Sequence, residues 1–497
     1  MDWLRKTVKV CLGDFHARYI PLLMVYFAYG ASGFSGIAES FWVKEHLNLS
    51  AEALAIIGFW VGLPWTIKMV FGQFADSIRV FGSGRKIYIF MGAGLIALGQ
   101  AIMIGLAAKS AWLMRFGTAE QLYFLSSVTM IVGFVLQDVI ADVMSTEVVE
   151  RFDSDGTPRS QKEVDSDLAQ IQWLGRISLM VAGAAVAGLG GWLAQITSYT
   201  VMFSIAMFVP AVSMVGAVFV RLNEVPRTPI NWTILGGGIG FAAFVIAMNF
   251  FDILYAEEIV FTISLTVLFV LISKVGITRF LFFSAIAIFM FRAVPGPGAG
   301  VGWWMIDVLE FDKAFQGTLS QIGAVLGIAG LFIFRKSIIE KPIAFTLTWL
   351  TIAGSILMLP TIGLFYGIHE MMGISARTIA IVDTTISAPL GQLSMVPLLT
   401  IIARSCPVGQ AGTWFALMAS LMNLAFSASS LGTKHLNSLF IVTREVKDAT
   451  GNVLVVANYD NVGILLIISW IIGLAIPLAA IYLFLRKTSE ETQKAAV

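Results

Sequence analysis

Residues 462–485 read VGILLIISWIIGLAIPLAAIYLFL and contain no charged side chain. A helix needs about 20 consecutive apolar residues to cross the hydrocarbon core of a bilayer. This stretch therefore predicts a membrane-spanning helix. The rest of the chain has the same character, because 58% of its 497 residues are hydrophobic and only 13% are charged. An ordinary soluble domain is about 25% charged, so the composition excludes a soluble fold.

Apolar runs separated by polar breaks recur along the chain and predict about fourteen spans. They lie near residues 19–43, 53–75, 87–107, 121–148, 167–195, 200–220, 233–251, 258–273, 280–306, 314–334, 343–367, 378–403, 412–433 and 461–485. The first six and the last six spans then form two similar bundles with an extra hairpin between them. The predicted domains are residues 1–220, a linker and hairpin at 221–279, and residues 280–497. Repeats of this kind are typical of secondary transporters, whose sites lie near mid-membrane.

The distribution of basic residues predicts the orientation. Most of the 32 Lys and Arg fall in the loops and tails that this arrangement places on one side. Cytoplasmic loops carry such an excess, so both termini are predicted to be cytoplasmic and the membrane to be the cytoplasmic (inner) one.

No soluble stretch is long enough to fold alone, so we predict that the chain is not an enzyme. Neither Cys11 nor Cys406 has a metal-ligand spacing, no cofactor is expected, and no basic face indicates nucleic acid.

Charged side chains inside the spans carry the strongest functional signal. Each costs roughly 2.5–3.5 kcal/mol on insertion scales and normally faces an aqueous path. We select Lys68, Asp138, Asp142, Arg176, Arg292 and Asp383, with Glu39 nearer an outer end. Depth along their helices predicts a cluster of Lys68, Arg176 and the two aspartates, since Asp138 and Asp142 lie one turn apart. Structural ion pairing is the alternative to substrate binding or coupling.

Arg292 is followed by Pro295 and Pro297, each beside glycine, which predicts an interruption of the ninth span. A broken helix frees backbone dipoles to face a substrate or ion, although a simple gating kink is an equal alternative. We predict that Arg292 anchors an anion. Three tryptophans share segments with polar residues and are candidates for stacking on a substrate: Trp65, Trp173 and Trp414.

A loop motif follows the second span. Residues 72–76 read GQFAD and residues 84–86 read GRK. This resembles the loop signature of the major facilitator superfamily, with a longer gap between its two parts. Asp76 is then expected to cap a helix N-terminus, while Arg85 pairs with acids across the half-bundle interface and holds one conformation. The alternative is an ordinary basic cytoplasmic loop.

Further segments resemble the folate–biopterin transporter family within that superfamily. They are PWTIK at 64–68, FADSI at 74–78, FG at 81–82, QDVIADV at 137–143, FRAVPGPG at 291–298, GIS at 373–375 with Asp383, ARSCP at 403–407 and WFAL at 414–417. The resemblance covers most of the chain. It departs from the family pattern at Met69 and Ser405.

The resemblance implies an all-α polytopic membrane protein of the major-facilitator type, with two six-helix bundles, two extra helices and 12–14 spans in all. It also implies secondary transport of a pterin or folate, linked to protons. One acidic residue among the selected charges could bind and release the coupled proton. The expected partners are a small-molecule anion, the proton and the lipid bilayer. Two alternatives stay open: transport of an unrelated amphipathic solute, and a non-transporting membrane assembly factor.

Overall fold

The structure is a computed structural model of the chain. It describes residues 16–80, 84–152, 157–223, 229–251, 253–274, 279–391, 393–394, 397–398, 401–402, 411–447 and 452–486. Over these ranges the chain is almost entirely helical, with one two-stranded antiparallel ribbon of β1 (Val446–Lys447) and β2 (Val453–Val455). The fold class predicted from the sequence, an all-α polytopic membrane protein, is confirmed.

The helices follow one another through short connections. In chain order they are α1 (Ile20–Gly30), α2 (Gly36–His46), α3 (Ala51–Thr66), α4 (Lys68–Ser77), α5 (Arg85–Ala107), α6 (Ala119–Glu147), α7 (Gln161–Ile196), α8 (Tyr199–Ile205), α9 (Phe208–Phe219), α10 (Trp232–Phe250), α11 (Ala256–Lys274), α12 (Arg279–Arg292), α13 (Gly300–Asp307), α14 (Lys313–Glu340), α15 (Ile343–Phe365), α16 (Ile368–Met372), α17 (Ala376–Gly391), α18 (Ala411–Leu439) and α19 (Val462–Ala480). In the described ranges, ten helical stretches are long and apolar enough to cross a membrane, and the bent pair of α3 and α4 brings the number to eleven.

Local capping explains where several helices begin. Thr118 and Ser160 each accept a hydrogen bond from a backbone N–H three residues on, and Gln121 and Glu163 bond back to the cap residues. Such capping boxes satisfy N–H groups that have no partner within the helix. Asp312 caps α14 in a similar way, accepting from the Phe315 N–H at 2.8 Å. Partial burial works against ionisation there, but this bond and Arg377 lower the pKa of the Asp312 carboxyl.

Contacts divide the chain into two units. The first contains the described residues up to Glu39 together with Lys68–Gly240, and the second contains Ser40–Ile67 and the chain from Phe241 onward. The second span is therefore shared, with α3 in the second unit and α4 in the first. These units are defined by contacts, whereas the predicted domains are defined by sequence order. The predicted division at residues 220 and 279 stays a prediction.

Within the first unit, α5 and α6 pack closely through glycine. A Cβ on Gly133 would lie 2.6 Å from the Gly92 carbonyl oxygen, and a Cβ on Gly92 would lie 2.9 Å from the Gly133 oxygen. Polar side chains complete the contact, because Ser126 donates to the Gly99 carbonyl at 2.7 Å and Gln137 to the Ile89 carbonyl at 3.0 Å. Small residues at such a crossing let two membrane helices approach and pack.

We expect Gly133→Leu to destabilise the first unit by about 1–3 kcal/mol, because the added side chain must push α5 away from α6. Thermal unfolding of the purified protein in detergent measures this loss. Gly94→Leu is the matched control, since Gly94 lies on α5 and a Cβ added to it would meet nothing within 4 Å. Equal unfolding temperatures for the two variants would contradict the glycine contact.

Within the second unit, α3 packs against α18. Asn423 on α18 donates to the Trp65 backbone carbonyl at 2.9 Å, close to the end of α3. A Cβ on Gly62 would lie 3.2 Å from Ser427 Oγ. The bend of 40° between α3 and α4 falls at Ile67, three residues after Pro64. Proline removes a backbone hydrogen bond and kinks a helix, and Asn423 supplies a donor to a carbonyl near the interruption.

Candidate functional site

The first unit holds a buried ion pair inside its membrane-spanning helices. Lys68, the first residue of α4, places its Nζ 2.5 Å from Oδ2 of Asp138 on α6. The Asp138 side chain is only 7% exposed and that of Lys68 is 29% exposed. An aspartate this deeply buried requires a positive partner, since an uncompensated charge in low dielectric is costly. The bend at Ile67 lets α4 begin with Lys68 at this position.

Asp142 lies one turn further along α6 and has a different environment. Its Oδ1 accepts a hydrogen bond from the Tyr26 hydroxyl of α1 at 3.0 Å. Ser145 donates to the Asp142 backbone carbonyl at 2.6 Å, and Gln172 of α7 donates to the Ser145 hydroxyl at 2.5 Å. Among the described residues, no side chain forms a salt bridge with Asp142. Its second carboxylate oxygen is therefore the acceptor that this site can offer to a ligand.

Arg176 on α7 completes the group of charges. It acts electrostatically on Asp142, on Tyr26 and on Tyr29. Within the described chain it forms no salt bridge or hydrogen bond to another residue, and its side chain is exposed. Trp173, three residues earlier on the same helix, is 50% exposed. We call Lys68, Asp138, Asp142 and Arg176 with Tyr26 the polar cluster of the first unit.

The structure thus brings together the four charges that the sequence places at similar depth. Sequence reasoning missed Tyr26, Tyr29, Ser145 and Gln172, which surround the aspartates. Tyr26 and Tyr29 are three residues apart on α1, a spacing that puts both on one face. That spacing is the available signal, but tyrosines in an apolar span also fit a place at the lipid interface.

We expect Tyr26→Phe to weaken substrate affinity about three- to tenfold, because the loss of one hydrogen bond, worth about 1 kcal/mol, removes the group that orients Asp142. Stability should fall by only about 1 kcal/mol, since the ring stays in place. Binding measured by titration calorimetry tests the effect. Tyr255→Phe is the control, because Tyr255 is 61% exposed and lies in a connection before α11. Equal affinities for the two variants would contradict the orienting role.

The predicted gating residues form a second network in the first unit. The expectation that Asp76 caps a helix N-terminus is wrong, because Asp76 lies in the last turn of α4. Arg85, at the start of α5, places Nη1 2.7 Å from Oδ1 of Asp76 on α4 and Nε 2.9 Å from Oε1 of Glu147 on α6. Sequence reasoning missed Glu147. It is the last residue of α6, and an acidic residue at the end of a span is expected to belong to the following loop. One guanidinium therefore joins the ends of three helices. Whether it acts as a gate stays a prediction.

In the second unit, the predicted interruption of the ninth span is confirmed. Helix α12 ends at Arg292 and α13 begins at Gly300. The freed backbone groups are occupied by side chains of α18: Ser429 donates to the Val294 carbonyl at 2.6 Å, and Thr433 accepts from the Gly296 N–H at 2.9 Å. Asn437, a further turn along, donates to the Pro297 carbonyl at 3.3 Å. These three groups are thus held by protein, which differs from the expectation that they face a ligand.

Arg292 itself lies above an aromatic ring. Its Cζ is 4.1 Å from the centroid of Phe426 on α18, a cation–π distance. Phe426 is 50% exposed. The Phe426 ring therefore positions the guanidinium of Arg292, and its role as an anion anchor stays a prediction.

The remaining predicted residues lie in other environments. Glu39 accepts a hydrogen bond from Tyr123 at 3.0 Å within the first unit. Asp383 on α17 has one buried carboxylate oxygen, Oδ1, without a hydrogen-bond partner among the described residues. Trp65 belongs to the second unit, and the side chain of Trp414 lies outside the described part of the structure. No group of three or more potential metal ligands occurs among the described residues.

Many apolar helices with a buried ion pair and further charges inside their spans define an integral membrane protein of the transporter class. Solved structures agree with this fold. The chain has a TM-score of 0.64 and 14% identity to a POT family transporter solved in complex with 5-aminolevulinic acid, with 95% of this chain and 98% of that chain covered. A peptide transporter POT in complex with sulfate gives the same TM-score and identity. At this identity the likeness shows the fold alone.

The chain belongs to the BT1 family, which matches residues 30–496 and is the family of folate-biopterin transporters. It is 27% identical over 429 residues to the folate-biopterin transporter of Synechocystis sp., covering 84% of this chain and 74% of that protein. It is 20% identical over 464 residues to folate transporter 1 of Plasmodium falciparum, covering 91% and 78%. The family predicted from the sequence is confirmed, and transporter relatives support the prediction that the chain is not an enzyme.

Proposed function

We propose that this membrane transporter moves a pterin or folate-like organic anion by alternating access, linked to protons, in the cytoplasmic membrane with both termini inside. The observation that carries the proposal is the polar cluster of the first unit. Lys68 and Asp138 neutralise each other there, while Asp142 and Arg176 keep hydrogen-bonding capacity. Charges inside membrane helices face an aqueous or substrate path as a rule. Relatives named as folate and biopterin transporters support the choice of substrate.

The chemistry of a pterin suits Asp142 and Arg176. Its pyrimidinone edge presents two neighbouring N–H donors, and a carboxylate accepts both of them in a bidentate hydrogen bond. Asp142 is the better acceptor, because Asp138 is already bound to Lys68. The exposed guanidinium of Arg176 suits a carboxylate, and Trp173 on the same helix offers a flat ring.

The second unit has its own candidate anchor for an anion. Arg292 stands at the end of α12, immediately before the interrupted segment, with its guanidinium on Phe426. A folate carries a glutamate tail whose carboxylates require cations. Arg292 is therefore proposed to bind the acidic part of the substrate at some stage of the cycle.

Alternating access is supported by two features. The second span is bent at Ile67, between α3 and α4. Arg85 joins α4, α5 and α6 through two ion pairs that can break and form again. Both features suit a protein with two conformations, because ion pairs and helix breaks are places where packed helices can rearrange.

Uptake of labelled folate and biopterin into proteoliposomes tests the proposal. We expect saturable uptake that an imposed pH gradient increases, and loss of uptake in Lys68→Ala and Arg292→Ala. Lys162→Ala, an exposed change in the first turn of α7, should leave uptake unchanged. Binding of neither compound would indicate an unrelated amphipathic solute. Failure to move any solute, with stable association to another membrane complex, would indicate an assembly factor.

A further inference from the structure

A chain of hydrogen bonds beside the polar cluster fixes the side chain of Gln172 on α7. Its Nε2 donates to Oγ of Ser145 on α6 at 2.5 Å. The Ser145 hydroxyl has a single proton, which it donates to the Asp142 backbone carbonyl at 2.6 Å. Ser145 can therefore only accept from Gln172, so the amide nitrogen of Gln172 is turned toward Ser145. The carboxamide oxygen of Gln172, Oε1, then points away from Ser145.

Gln172 stands close to the carboxylate of Asp142. Gln172 and Arg176 are one turn apart and share a face of α7, as Asp142 and Ser145 do on α6. Gln172 bonds to Ser145, and Arg176 acts electrostatically on Asp142. The two helices therefore match turn for turn, and Gln172 lies roughly 5 Å along the helix axis from the level of Asp142. A ligand held on Asp142 is within reach of the Gln172 side chain.

This face of α7 is open to a ligand. The side chains of Gln172 and Arg176 are exposed, and that of Trp173 between them is 50% exposed. All three lie within the fifth predicted span, 167–195, where polar side chains normally face an aqueous path. Helix α7 therefore offers an acceptor, a flat ring and a cation side by side.

The edge of a pterin ring carries three N–H donors: the ring N3–H and the two N–H groups of the 2-amino group. A carboxylate accepts N3–H and the nearer amino N–H as a bidentate pair. Each carboxylate oxygen has two lone pairs, so Oδ1 of Asp142 can accept one of them beside its bond from Tyr26 at 3.0 Å. The outer amino N–H then requires an acceptor of its own. Oε1 of Gln172 is such an acceptor.

We propose that Gln172 determines specificity, because its Oε1 accepts the outer amino N–H of a 2-amino-4-oxopyrimidine ring held on Asp142. This proposal rests on the pterin transport proposed above and names the part of the substrate that Gln172 recognises. A ring that lacks this N–H leaves Oε1 unpaired, and sites built to bind an N–H discriminate against such analogues. In a purely structural role, Gln172 would only tie α7 to α6 through Ser145, and its loss would weaken the binding of every ligand equally.

Titration calorimetry of the purified protein with pterin and with its N2-methyl derivative tests the proposal. The derivative keeps N3–H and one amino N–H, and a methyl group replaces the outer N–H. We expect the wild type to bind pterin about three- to tenfold more tightly than the derivative, and this ratio to fall to about one in Gln172→Met. Gln161→Met, an exposed change about three turns earlier on α7, is the matched control and should keep the wild-type ratio. Equal weakening of both compounds in Gln172→Met, with an unchanged ratio, would overturn the proposal.

A second variant tests how the carboxamide is held. Ser145→Ala removes the acceptor that fixes the amide nitrogen of Gln172, so the ratio of the two affinities should fall to a value between those of the wild type and Gln172→Met. A wild-type ratio in Ser145→Ala would contradict this orientation. A wild type that binds pterin and the derivative equally overturns the role of Gln172 and leaves the proposed function standing. A wild type that binds neither compound overturns the proposed function as well.

Discussion

Lys68→Ala is expected to abolish transport and to destabilise the first unit, the largest effect that the structure predicts. Removing the ammonium leaves the carboxylate of Asp138, 7% exposed, without the partner that lies 2.5 Å away. Breaking a buried pair by removing one member costs about 3–5 kcal/mol. Uptake into proteoliposomes and thermal unfolding in detergent measure the two consequences.

A second variant separates the two consequences of losing Lys68. Adding Asp138→Asn to Lys68→Ala removes the stranded charge, so the unfolding temperature should recover toward that of the wild type. Transport should stay lost in the double variant, because the Lys68 ammonium that acts electrostatically on Asp142 is absent. Lys162→Ala controls for the loss of a lysine as such. Transport by Lys68→Ala within about threefold of the wild type would show that the pair is only structural.

The charged part of the polar cluster is predictable from the sequence, for a simple physical reason. An ionised side chain in a membrane span must be compensated, and depth along a helix follows from residue number alone. Lys68, Asp138, Asp142 and Arg176 are grouped on that basis, and the structure places Lys68 on Asp138. The depth of a residue along its helix does not show which neighbouring helix its side chain faces. The contribution of Tyr26 from α1 therefore requires the packing of α1 against α6 to be known.

The second span shows where a pattern along one helix fails. Trp65 and Lys68 are three residues apart, which predicts neighbouring side chains on one continuous helix. The helix ends at Thr66 and starts again at Lys68 with a bend of 40°. Pro64 is visible in the sequence, but a proline predicts a kink without giving its direction. The donor to the Trp65 carbonyl at the end of α3 is Asn423 of α18, far away in the chain.

The interrupted ninth span is predictable, but its surroundings are not. Two prolines and their glycines predict the end of α12. The residues that satisfy the freed backbone, Ser429, Thr433 and Asn437, recur every four positions along α18. This polar stripe on an apolar helix is a recognisable signal. Matching it to the interrupted segment requires the contact between α18 and α12, which no pattern in a single sequence supplies.

The interrupted segment leads to the second large prediction, for Gly298→Ala. Gly298 has a φ of +87°, a region that L side chains rarely adopt. A Cβ there would lie 2.3 Å from Nδ2 of Asn437, which is 3% exposed and cannot withdraw into solvent. Backbone strain of this kind costs about 1–3 kcal/mol, and displacing Asn437 adds the loss of its bond to the Pro297 carbonyl. We expect a marked fall in Tm and in uptake.

Gly302→Ala is the matched control for Gly298→Ala, because Gly302 lies in α13 with nothing within 4 Å of an added Cβ. Adding Asn437→Ala to Gly298→Ala removes the collision but keeps the strained φ, so Tm should recover only in part. The interrupted segment would then be held by two separable contributions, backbone conformation and side-chain contact. A Tm for Gly298→Ala equal to that of Gly302→Ala would mean that the segment accommodates another conformation freely. Its contacts with α18 would then not fix the position of Arg292.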